Sequence, residues 1–100
     1  MTSLAKLIDI IDTRAGEIEI AFQDPANRKG IIDRVNDREN AYRNLMADLA
    51  RDHRANHRAG DPHIMTLAGI KTSCTAGISG LITAWLRKAR KQVAEETAGA

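Results

Sequence analysis

Aromatic residues are almost missing from this chain: Phe22, Tyr42 and Trp85 are the only three in one hundred positions, so any core must be built from aliphatic side chains. Sixteen alanines, eleven isoleucines and seven leucines supply them. That mixture favours close helix packing over a sheet sandwich. Cysteine is scarcer still. Cys74 stands alone, which rules out an intramolecular disulfide and points to a reducing, cytoplasmic setting. The opening MTSLAKLIDIID carries Lys6, Asp9 and Asp12 where a secretory signal would have an unbroken apolar run. Only Pro25 and Pro62 interrupt the chain. There is no glycine-rich phosphate loop and no convincing pair of inward-facing carboxylates. The reading therefore assigns no catalytic residue and no cofactor, and expects a protein that is not an enzyme.

What is present is a set of helical patterns. Thr2 or Ser3 can cap a first helix, and Leu4, Leu7, Ile8, Ile11, Ala15, Ile18 and Phe22 then recur at steps of three and four. Ile10 and Ile20 fall off that stripe, and Glu17 to Phe22 also has the alternation of a half-buried strand. Asp24-Pro25 is a helix-start signal complicated by Gly30. From Ile31 onward Ile32, Val35, Tyr42, Met46 and Leu49 share a side, and Glu39 with Arg43 forms a favourable four-residue charge pair. Asp61-Pro62 repeats the start signal. The expectation is an all-α fold, a small three- to four-helix bundle in one domain over 1–96. Its helices would span about 3–23, 31–58, 62–70 and 73–96, with 97–100 frayed.

The stretch Ile64 to Leu86 organises this picture. It holds one charge, Lys71, and as a helix it gathers bulky residues on one side and small ones on the other. Poor helix formers around Lys71 argue for a break near Gly69 to Thr72. Gly69, Ser73, Gly77, Gly80 and Ala84, with Trp85 as a buried anchor, define a candidate association face, because small groups four residues apart let another helix approach closely. The bundle would then be completed by self-association or by a protein partner. From Thr72 to Leu86 the uncharged run has fifteen residues, short of the roughly 20 that cross a bilayer.

Charge is unevenly placed. Residues 1–50 hold seven Lys/Arg against nine Asp/Glu, and residues 51–100 hold eight against four. Arg51, Arg54 and Arg58 form one basic group, and Arg87, Lys88, Arg90 and Lys91 another. Either could meet phosphates by counterion release, so nucleic-acid binding is the alternative function. His53 and His57, one turn apart on a continuing helix, are weak candidates for metal ligands.

Overall fold

The computed structural model describes residues 3–26 and 28–98. Thr2, proposed as a cap, and the last two positions of the expected frayed end lie outside the described residues. The elements run α1 (Leu4–Gln23), α2 (Ile31–His53), β1 (Asn56–Arg58), β2 (His63–Leu67), β3 (Ile70–Cys74) and α3 (Gly77–Ala98). The molecule is elongated, 49 × 28 × 22 Å.

Ser3 caps α1 by accepting from the Lys6 amide at 3.2 Å, which satisfies one of the unpaired donors of the first turn. Leu7 and Ile11 are buried, and Leu4, Ile8, Ala15 and Ile18 pack against them. Residues 17–22 are helical, so the strand reading of that segment does not hold. After Gln23 the backbone turns extended at Asp24, whose carboxylate accepts from the Ala26 amide. The Asp24-Pro25 signal marks this turn, and α2 begins only after Gly30.

α2 buries Tyr42, Leu45, Met46 and Leu49. Asp33 lies in its first turn and Arg51 and His53 in its last, each matched to the helix dipole. The helix stops at His53, not near residue 58. Arg54 takes a left-handed conformation (φ 59°), and the Ala55 amide returns to the Leu49 carbonyl at 3.1 Å, closing the helix without a glycine.

The expectation of an all-α bundle is wrong. Residues 56–74 form a three-stranded antiparallel meander in the order β1-β2-β3, so the fold is three helices with a small sheet. The stretches expected as helix at 62–70 and at the start of 73–96 are β2, β3 and the turns beside them. Asp61-Pro62 leads into a strand. The physical reason lies in Ile70 to Cys74, where Ile70 and Thr72 are buried while Lys71 and Ser73 are exposed, the two-residue period of a strand. Ala68 and Gly69, both with positive φ (53° and 78°), link Leu67 to its partner Ile70. Two central residues of that kind make the tight hairpin that suits twisted antiparallel strands.

α3 packs across α1 and the inner sheet face. Leu81, Ile82, Trp85, Leu86 and Ala89 are buried there beside Met65, Leu67 and Ile70. The Trp85 indole donates to the Leu67 carbonyl at 3.1 Å, and Lys88 donates to the Lys71 carbonyl at 2.9 Å. These two bonds fasten both strands of the hairpin to one helix.

Candidate docking groove

α2 carries three different environments around its circumference. One flank is tied to α1: Arg38 binds Glu19 at 2.6 Å, Tyr42 donates to the same carboxylate oxygen at 2.7 Å, and Arg14 binds Asp48 at 2.6 Å. Arg34 donates to the Phe22 carbonyl, and the guanidiniums of Arg34 and Arg38 both lie over the Phe22 ring. Arg38 and Tyr42 together hold the Glu19 carboxyl below its ordinary range, the Arg38 hydrogen bond contributing most. Burial, then the Glu19 bond, pushes the Tyr42 phenol up to about 12. The underside of α2 faces the core.

The third flank is open. It forms one wall of a groove of about 840 Å³, with Val35, Glu39, Arg43, Met46, Ala47 and Ala50 along the helix. The opposite wall is made by Ala55, His57 and His63 at the hairpin and by Ala76 to Ser79 at the start of α3. Apolar side chains continue past the mouth: Ile31 is 63% exposed, Ile32 73% and Val35 42%. They extend the stripe of Tyr42 and Met46 into a region the core does not cover. Ile20 on α1 is also exposed.

The residues singled out by spacing are spread over several elements. Gly69 sits in the hairpin turn and Ser73 on the exposed side of β3, so the strand geometry takes them off any face shared with Gly77, Gly80 and Ala84 on α3. Trp85 is fully buried. Gly80, Ser79, Thr83 and Ala84, with Cys74 and Arg87, do line a shallow cleft of about 420 Å³ next to the groove. Gly80 is fitted tightly there, since an added Cβ would come within 2.8 Å of both Ala76 Cβ and Cys74 Sγ.

Of the cations, Arg51 is paired with Asp48 and Asp52, Arg90 with Asp12, and Lys88 with a backbone carbonyl. Arg54 terminates α2, Arg58 is exposed on β1, and Arg87 and Lys91 are exposed on α3. The two basic groups are thus divided among α2, β1 and α3.

His53 and His57 are on different elements, α2 and β1. His57 instead meets His63: Nε2 and Nδ1 are 3.2 Å apart, the rings are parallel within 8°, and their centroids are 5.4 Å apart. That centroid distance nearly equals the nitrogen gap plus a ring radius on each side, so the rings lie edge to edge and one proton fits between them. Burial, and secondarily the neighbouring His63, lowers the pKa of His57. Among the described residues no three His, Cys, Asp or Glu side chains are placed to hold a metal, and no helix is long and apolar enough to cross a membrane.

Sequence reasoning placed Ile32, Val35 and Met46 on one stripe but did not find the groove, because its second wall comes from residues 55–63 and 76–79. Ala47 and Ala50 give no local signal; their role appears only when the hairpin stands opposite them. No protein-family model matches the chain, and no curated protein or solved structure matches it.

Proposed function

We propose that this protein is a non-enzymatic binding module of the cytoplasm that holds an α-helical segment of a protein partner in the groove beside α2. One observation carries the reading: the open flank of α2 carries apolar side chains toward both ends, exposed Ile32 and Val35 at one and Met46, Ala47 and Ala50 at the other, with Glu39 and Arg43 between them. Grooves that accept an amphipathic helix have this composition, apolar along the floor with charges at the rim. Here Glu39 and Arg43 supply the charges, midway along the helix. The test is a titration of the methyl-labelled protein with a synthetic amphipathic Leu/Ala-rich helical peptide. Methyl resonances of Val35, Met46, Ala47, Ala50 and Ile78 should shift while that of Thr66 on the outer sheet face stays still. Unmoved groove methyls at millimolar peptide, in a chain that sediments as a monomer, would overturn the reading.

A second reading, nucleic-acid binding, draws on the outer sheet face. The strand register puts Arg58 and Lys71 on that face, opposite buried Met65 and Thr72. Arg87 and Lys91 are further exposed cations on α3. It predicts a gel shift at low salt that weakens steeply as salt rises. No shift of a mixed-sequence duplex or single strand at low salt would remove it.

A further inference from the structure

We propose that the occupant of the groove is α2 of a second copy of this chain, laid antiparallel about a two-fold axis passing near position 41. The inference rests on the docking reading above and names its partner. In a two-fold antiparallel helix pair, residues equidistant from the axis face one another across the interface, and every contact occurs twice. The open flank of α2, from Ile32 beyond the mouth of the groove to Ala50 within it, is self-complementary under that operation. Positions 32 and 50, 35 and 47, and 39 and 43 are each centred on 41. They place Ile32 against the partner's Ala50, Val35 against the partner's Ala47, and Glu39 against the partner's Arg43. All six residues are exposed.

The pairing matches size and charge together. The large apolar side chains lie toward one end of the helix and the alanines toward the other, so each end supplies what the opposite end of its partner lacks. Near the axis, Glu39 and Arg43 are 3.9 Å apart within one chain and both more than half exposed. Two copies would bring two such pairs together as an alternating ring of four charges. From 32 to 50 the contact runs about 28 Å along the helix, and the hairpin and the start of α3 stand beside the half that receives the partner's isoleucine. A parallel arrangement would instead place Glu39 against Glu39 and Arg43 against Arg43, which like-charge repulsion opposes.

Sedimentation of the full chain from micromolar to millimolar concentration tests this directly, and a dimer is expected. Glu39→Arg and Arg43→Glu should each weaken the dimer about a hundredfold, since each reverses one partner in both symmetric pairs. The double variant Glu39→Arg/Arg43→Glu should restore it. In a Cys74→Ser background, Val35→Cys with Ala47→Cys should give a covalent dimer on mild oxidation, and Val35→Cys alone should not. Helical circular dichroism on every variant separates loss of association from loss of fold. A monomer at millimolar concentration overturns the second copy as occupant, as does a dimer that neither charge reversal weakens or a failure of the cysteine pair to cross-link. If the monomeric chain still shows groove methyl shifts with the helical peptide, the docking reading stands and only the occupant falls. If those methyls are also silent, both fall.

Discussion

The two halves of α2 bear the same kind of stripe and meet different fates. Tyr42, Leu45, Met46 and Leu49 are buried in the core formed with α1, the sheet and α3, whereas Ile31, Ile32 and Val35 project beyond it. The hairpin and the start of α3 stand beside the C-terminal half of the helix, whereas the N-terminal half meets α1 along its Arg34 and Arg38 flank and leaves Ile31, Ile32 and Val35 exposed. Periodicity alone says that a face is apolar. Whether that face is spent on folding or left for binding depends on where the remaining elements stop.

The sharpest way to break this comparison is to truncate one side chain in each half. Leu49→Ala should destabilise the protein by about 2–5 kcal/mol, because it opens a cavity in the sealed half; urea unfolding followed by circular dichroism would measure it. Gly80→Ala, at the tight contact of α3 with Ala76 and Cys74, should cost about 1–3 kcal/mol by overpacking, and a fall in thermal midpoint would report it. Thr72 tests the sealed region from the other side. Its hydroxyl is buried with no hydrogen-bond partner among the described residues, so Thr72→Val should stabilise by about 1 kcal/mol. Ile32→Ser, in the open half, should change the folding stability of the monomer, measured at a concentration where the chain does not associate, by under about 0.5 kcal/mol. A large loss in the monomer would mean that the N-terminal half is structural after all.

Acid probes the same contrast by charge. Burial first and His63 second hold the pKa of His57, at the groove wall, below its ordinary value of 6.5. An unfolded histidine takes up its proton near that value while the folded one resists, so the native state loses stability as pH falls through 6.5. Glu19 adds a separate acid limb. Its carboxyl, lowered mainly by Arg38, contributes stability that is present above 4.5 and lost as pH falls below it through the folded value. Urea midpoints at successive pH values should show both limbs, and His57→Phe should remove the upper one while leaving the lower.

The reasons for what could be read in advance are local. The stripe from Leu4 to Phe22 coincides with α1, and the stripe from Ile32 to Leu49 lies within α2, because each repeats over several turns with little competing signal. Ile64 to Cys74 misled because its apolar residues also satisfy a helical spacing, and because Ala68-Gly69 lacks the Asn or Asp that usually announces a tight hairpin. Lys71 was the informative residue. A charge in the middle of a bulky helical face is an anomaly, but on a strand it falls naturally to the outer side. The groove could be half seen, since Val35 and Met46 belong to a visible stripe, but its far wall depends on the hairpin folding back over α2.

The bond from Trp85 to the Leu67 carbonyl has a practical consequence. The chain has a single tryptophan, and it is fully enclosed between α3 and the tip of the hairpin. The protein therefore carries one intrinsic fluorophore whose emission colour reports whether the sheet is seated on the last helix. A red shift under mild denaturant that precedes loss of helical signal would mark undocking of the sheet as a separate event. Coincident transitions would mean that helices and sheet melt together.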